Sequence, residues 1–207
     1  MTTTLAALVR TRANAAGLDA PEPLCDALAA YLSLLARWNR KVNLTSFDLD
    51  APSDAAIDRL AIEPIAASSS VRAADRLAID VGSGGGSPAI PLRLARPELA
   101  MVLVEVRERK AAFLREAARA LGLGNVSVEV DTFERVSDRP EWTGRADLVT
   151  MRAVRADPGI WRAAEAVLGP SGRFLWFSDA GDAALKTGTF AVTASAPPVL
   201  VLERSGD

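Results

Sequence analysis

The pattern of apolar and polar positions changes near residue 70. Before it, Leu24, Leu28, Tyr31, Leu32, Leu35 and Trp38 recur at helical spacing on one face, after Pro21 and Pro23 at the helix start. That stripe predicts a core-facing helix that ends in Arg37-Trp38-Asn39-Arg40-Lys41, followed by a turn at Asn43-Leu44-Thr45. Leu5 to Ala16 reads as an earlier helix, and Ser53-Asp54 as the N-cap of another running from Ala55 to about Ala67. Ser68-Ser69-Ser70 reads as a linker. Beyond it, short apolar runs alternate with helical patterns. Strands are predicted at Leu77–Val81, Met101–Glu105, Val126–Val130, Ala146–Met151 and Arg173–Phe177, and helices at Pro88–Ala95, Arg107–Leu121 and Ile160–Leu168. Two late runs, Thr189–Thr193 and Val199–Leu202, have no helix between them and are expected to pair antiparallel at the sheet edge. The predicted organisation is a helical extension over residues 1–70 and an α/β domain over residues 71–207.

The first strand runs into the chain's densest glycine cluster: Gly82, Gly84, Gly85 and Gly86 follow Asp80-Val81 before a helix begins. A strand that breaks into a glycine turn and opens a helix lets backbone approach a ligand closely, because no Cβ intervenes. Glu105 ends the next strand about 20 residues further on, the spacing expected of a carboxylate that grips ribose hydroxyls. A nucleoside-type cofactor is therefore expected, with Asp80, Gly82, Gly84 and Glu105 around it. The turn carries no lysine for a triphosphate, which argues against a P-loop. Phe133 and Glu134 follow the third strand, where an adenine ring would lie; Phe133 either covers the base or belongs to the core. Arg152 follows the fourth strand, either at the ligand or in an ion pair. The edge between Asp80, Glu105 and Phe133 is expected to form one pocket. Five βα steps with a terminal antiparallel pair suit the Rossmann-like sheet of the S-adenosylmethionine methyltransferases better than the usual dinucleotide-binding order.

Composition narrows the chemistry. The chain has no histidine, which removes the commonest general base and metal ligand, and with them zinc hydrolysis and a Ser-His-Asp triad. A single cysteine, Cys25, excludes an internal disulfide and a cysteine-cluster metal site. The net charge of −2 argues against a uniformly basic nucleic-acid domain and leaves room for a local basic face. No uninterrupted apolar run is long enough for a membrane span, and the first residues lack a basic signal-peptide region. A cytoplasmic setting is expected.

The block Asp80-Val-Gly-Ser-Gly-Gly-Gly-Ser-Pro-Ala-Ile-Pro-Leu resembles the first motif of the glucose-inhibited division protein B family. The likeness extends through Trp38-Asn39 and Asn43-Leu44-Thr45 before it. After it come Arg96-Pro97-Glu98, Arg109-Lys110, Phe113-Leu114, Leu121 with Leu123 and Asn125, and Arg152-Ala153, so that most of residues 28 to 178 are covered. The resemblance implies a cytoplasmic, S-adenosyl-L-methionine-dependent enzyme that methylates guanine N7 in 16S ribosomal RNA. It implies that Gly82, Ser87, Phe133, Glu134 and Arg152 occupy cofactor-contact positions. The expected partner is the RNA or the small-subunit ribosomal particle, with no membrane or metal involved and the protein monomeric. Guanine N7 carries a free lone pair, so methyl transfer to it needs no proton abstraction and suits a chain without histidine; proximity supplies most of the rate. Asn39, Asn43 and Arg152 are the candidates for orienting the guanine or a flanking phosphate, with turn formation the alternative for Asn43. The sequence departs from the family pattern in several places. Leu60 stands where a histidine usually follows Arg59, Glu63-Pro64 replaces Asp-Ser, and Ser87-Pro88-Ala89 replaces Phe/Leu-Pro-Gly. Thr132 replaces an arginine, and Ser178-Asp179 replaces Lys-Gly. Three of these changes remove a basic or ring-nitrogen group from the expected RNA edge. The alternatives are therefore another acceptor, or a non-catalytic member that binds cofactor or RNA.

Overall fold

The computed structural model describes residues 2–155, 157–178, 189–196 and 199–204. Helix α1 (Thr2–Ala15) lies against α2 (Glu22–Asn39), whose apolar stripe is buried as its spacing predicts: Leu28, Tyr31, Leu32 and Leu35 are enclosed. Ser53 caps the next segment through a hydrogen bond from the Ala56 N–H. The segment is not one regular helix. A short α3 (Asp54–Ile57) widens into a π-helical turn (Asp58–Ile62), continues as α4 (Glu63–Ala66) and tightens into a 3-10 turn (Ala67–Ser70) across the expected linker. Pro64 accounts for the widening. Proline brings no N–H and its ring crowds the carbonyl four residues back, a conflict that a π turn just before it relieves. The turn is closed by the Glu63 N–H donating to the Asp58 carbonyl.

The α/β part follows: β1 (Leu77–Val81), α5 (Ala89–Ala95), β2 (Ala100–Val104), α6 (Glu108–Ala120), β3 (Val126–Glu129), α7 (Phe133–Ser137), β4 (Ala146–Arg152), α8 (Pro158–Val167), β5 (Leu168–Phe177), β6 (Phe190–Ala196) and β7 (Val199–Arg204). Helix α7 falls where the sequence pattern assigns no element; it is one turn long, too short for periodicity to announce it, and Thr132 caps it by accepting from the Arg135 N–H. Strand β5 begins five residues before the expected Arg173, and an irregularity in its pairing with β4 absorbs Gly169-Pro170.

The strands form one sheet in the order β3-β2-β1-β4-β5-β7-β6. β1 through β5 are parallel to one another; β7 is antiparallel to both β5 and β6. The late pair is thus antiparallel as expected, with the last strand inserted between β5 and β6. The order reverses beside β1, which has β2 on one side and β4 on the other, and ligands of open α/β sheets bind outside the strand ends at such a switch. Two buried clusters flank the sheet. One joins α1, α2 and the π turn to Ala78, Met101 and Leu175; the other packs Ile79, Val81, Phe133, Trp161 and Phe174 on the opposite face. The N-terminal helices therefore complete one side of the sheet's core and end over the carboxyl end of β1. Among the described residues no helix is long and apolar enough to cross a membrane.

Candidate active site

β1 ends in Asp80-Val81, and the chain turns sharply through Gly82, whose φ is +66°. A Cβ there would come within 2.5 Å of Val154 Cγ2, so the turn excludes any larger residue. A Cβ on Gly85 would lie 3.0 Å from the Leu44 carbonyl, because the Leu44–Phe47 loop folds down onto the glycine turn. Tyr31, fully buried on α2, donates its hydroxyl to the Gly85 carbonyl at 2.7 Å. Glu105 braces the turn from β2: its Oε2 accepts from the Gly84 N–H and its Oε1 from the Arg107 N–H, both at 2.9 Å. Each carboxylate oxygen retains a lone pair for a further donor.

Between the glycine turn and the N-terminal helices lies a cleft of about 520 Å³. Gly82 to Gly85, Ser87, Arg152 and Ala153 form the sheet side; Leu44 to Phe47, Arg59, Leu60 and Lys110 form the other. Ala153 sits at φ +56°, a left-handed conformation that a residue with a Cβ adopts at a cost of about 1–2 kcal/mol. Arg152 is buried. Its guanidinium donates to the Arg59 carbonyl, to Ser87 Oγ at 3.3 Å and to Glu63 Oε2 at 2.8 Å, and lies 4.4 Å from the centre of the Phe177 ring. Burial lowers its pKa to about 10, opposed by the Glu63 carboxylate, and it stays charged at neutral pH. Its interactions combine both sequence readings: Arg152 makes an ion pair and also lines the cleft.

Asp80 is only 1% exposed. Its Oδ1 accepts from the Thr150 hydroxyl at 2.5 Å, while its Oδ2 is buried with no partner. Burial raises its pKa to about 6; the Thr150 and Ser83 hydroxyls and the Arg152 charge only partly offset the desolvation. A buried acceptor without a donor is uncommon and calls for an explanation.

The structure divides the expected pocket. Side chains alternate along a strand, so Asp80 shares the face of Ala78, under the N-terminal helices, whereas Phe133 packs with Ile79 and Val81 on the other. Phe133 is 3% exposed, which selects the core reading of its ring. Asp80, Glu105 and Phe133 meet only at the carboxyl edge, and none of the three lines the cleft. Glu134 is exposed at the start of α7, and a Cβ on Gly159 would lie 3.2 Å from its Oε1. Asn39 is not a free recognition group: its Oδ1 accepts from the Leu44 and Thr45 N–H groups and its Nδ2 donates to the Thr45 carbonyl. It shapes the loop that walls the cleft. Asn43 is exposed in a neighbouring groove with Lys41, Arg107, Arg109 and Lys110, outside the cleft itself. Asp179 lies outside the described residues.

Sequence reasoning missed Tyr31, counted only as core, and the Leu44–Phe47 wall. It also missed Val106, a 58% exposed apolar side chain directly after Glu105. The signal for Val106 was its position: an apolar residue directly after Glu105, at a strand end where polar residues are usual.

A 3-2-1-4-5-7-6 sheet with a glycine turn at its switch point and an acidic end on the next strand defines a Rossmann-like methyltransferase fold. Solved structures share it: the ribosomal protein L11 methylase of Lactobacillus delbrueckii subsp. bulgaricus has a TM-score of 0.51 at 14% identity, covering 69% of this chain and 77% of that one. TYW2 of P. horikoshii, solved in complex with MeSAdo, has a TM-score of 0.52 at 14% identity, covering 69% and 60%. The family model GidB, rRNA small subunit methyltransferase G, matches residues 24–187. The ribosomal RNA small subunit methyltransferase G of Stenotrophomonas maltophilia (strain K279a) is 39% identical over 161 residues, 77% of this chain and 70% of that protein. The protein of the same name from Neisseria gonorrhoeae (strain NCCP11945) is 38% identical over 159 residues, 75% and 72% respectively. The chain belongs to the rRNA small subunit methyltransferase G family.

Proposed function

We propose that this chain transfers the methyl group of S-adenosylmethionine to N7 of a guanine in 16S ribosomal RNA. The observation that carries the reading is the family match across residues 24–187, which takes in the glycine turn, the cleft and its basic rim. The residues at the carboxyl edge suit the methyl donor on physical grounds. Gly82 leaves room where a Cβ would collide, Glu105 keeps lone pairs for a ribose diol, and Asp80 Oδ2 is a buried acceptor without a partner. When bound, S-adenosylmethionine supplies a methyl group activated by a sulfonium centre.

The chain's own residues bind and orient. Gly82, Gly84 and Ser87 form the floor on the methionine side, with Arg152 beside Ser87 as a fixed donor and positive charge. Asp80 supplies negative potential beneath the turn, which favours a cationic ligand in a low-dielectric site. Glu105 takes the ribose, Val106 offers an apolar face to the base, and the backbone at Phe133 and Glu134 reads the base edge. None of these groups moves a proton, and guanine N7 requires none to be moved. Asn39 acts through the Leu44–Phe47 loop, and Asn43 meets the RNA beside the cleft. The acceptor is read as exposed guanine in RNA, presented naked or within the small-subunit particle, to a monomer in the cytoplasm.

A different acceptor is the second reading. It is favoured by Leu60, which sets an apolar side chain on the cleft wall where the family pattern has an imidazole. A strain lacking the gene decides between the two: its 16S RNA should lose one N7-methylguanosine and regain it on complementation. An unchanged modification map rejects the leading reading.

A further inference from the structure

About half of the arginines in the described structure are neutralised. Arg12, Arg40, Arg72, Arg96, Arg115, Arg119, Arg139, Arg152 and Arg173 all pair with carboxylates within 3.0 Å. Five cations without such a pair gather in one place. Arg37 and Lys41, at the carboxyl end of α2, face Arg107, Arg109 and Lys110, at the start of α6, and none of the five forms an ion pair among the described residues. Two carboxylates lie in their midst, and both are engaged elsewhere: Glu108 with Arg115 at 3.0 Å and Glu116 with Arg119 at 2.8 Å. The cations border two grooves, of about 590 and 400 Å³, which share Lys41, Val42 and Arg109. Lys110 lines both the smaller groove and the cleft at the glycine turn, so the three depressions form one path. The floor of the larger groove is apolar, made by Trp38, Val42 and Ala112, with the Trp38 ring held edge-on against Phe113 at 5.9 Å.

We infer that this path is a binding track for a single-stranded segment of the substrate RNA next to the target base. The inference rests on the RNA-methylating reading above and extends it to a surface. Unpaired cations fit a phosphodiester chain, and an aromatic floor between them fits its bases and sugars, the combination by which proteins hold single strands. In a chain of net charge −2 the track concentrates positive charge at the mouth of the cleft, so that the bound strand leads into it.

The variant R37A/K41A/R109A tests the track, since none of its three residues lines the glycine-turn cleft and all are exposed. Its affinity for small-subunit RNA is measured across a salt series by fluorescence anisotropy, with titration of S-adenosylmethionine as the control for folding. Removing three phosphate contacts should lower the slope of log K against log salt by about 2. It should also weaken RNA binding at least tenfold, raise KM for RNA and leave cofactor affinity unchanged. An unaltered salt slope and an unaltered KM for RNA overturn the track. Equal affinity of the wild type for a polyglutamate peptide overturns its assignment to RNA. Wild-type protein that binds RNA along this track without methylating it defeats the enzymatic reading and leaves the track standing. Should the triple variant lose cofactor binding, K41A and R109A taken singly serve instead, each expected to lower the slope by about 0.7.

Discussion

Replacing Asp80 by asparagine tests the electrostatics under the glycine turn with almost no change in shape. The carboxyl group is 1% exposed, and burial lifts its pKa from 3.8 to about 6. The folded state therefore holds a proton that the unfolded chain has already released in the window from about pH 4 to pH 6. Where the folded state binds more protons, stability falls as pH rises, and above pH 6 the loss is complete. The displacement from 3.8 to about 6 corresponds to about 3 kcal/mol. Asparagine cannot ionise, so the variant lacks this slope. Its amide adds a constant offset, because an NH2 replaces the unpartnered oxygen and a buried donor left unsatisfied costs about 1–3 kcal/mol. The informative quantity is thus the change in the gap between the two proteins with pH. Urea unfolding at steps from about pH 4 to pH 7.5 should show D80N gaining about 3 kcal/mol on the wild type across the window. A gap that stays constant to about 0.5 kcal/mol would mean that Asp80 takes up no proton on folding, and the account of its burial would be wrong.

Three other perturbations follow from the same geometry. Gly82→Ala forces a Cβ to 2.5 Å from Val154 at φ +66°; S-adenosylmethionine affinity should fall at least tenfold by calorimetry, and undiminished affinity would show that the turn is not the cradle. Tyr31→Phe leaves the Gly85 carbonyl without its 2.7 Å donor, which should cost about 1–3 kcal/mol in chemical denaturation; a smaller loss would mean that water replaces the hydroxyl. Arg152→Lys cannot reproduce a planar fork reaching Arg59, Ser87 and Glu63 while stacked on Phe177, so the melting temperature should drop by several degrees and turnover should fall with it; full activity would remove Arg152 from the site.

The fold was readable where physics is local. The helical stripe of α2, the strand end at Val81 and the sheet's final pair all follow from periodicity and glycine placement, and β2 ends one residue before the expected Glu105. Three features were hidden for identifiable reasons. The π turn at Asp58–Ile62 depends on how Pro64 is accommodated within a helix, which residue spacing alone does not reveal. Phe133 was placed correctly along the chain, but the face of the sheet it packs against is settled by the one-turn helix α7. Tyr31 occupies an ordinary core position in the stripe, and only the docking of α2 over β1 brings its hydroxyl to Gly85. Glu105 was expected to serve a ribose and is found bracing the Gly84 and Arg107 N–H groups, a second task that leaves each oxygen a lone pair for a further donor. The cleft itself was not legible, because one of its walls comes from the Leu44–Phe47 loop, which Asn39 folds onto the glycine turn.

The central claim is that this chain moves a methyl group from S-adenosylmethionine to guanine N7 in small-subunit RNA. Purified protein, methyl-labelled S-adenosylmethionine and unmethylated 16S RNA, presented naked and as 30S particles, provide the direct measurement once the labelled nucleoside is located. The account predicts label at N7 of a single guanine. Label on another atom or another molecule, or no transfer to either form of the RNA, would contradict it.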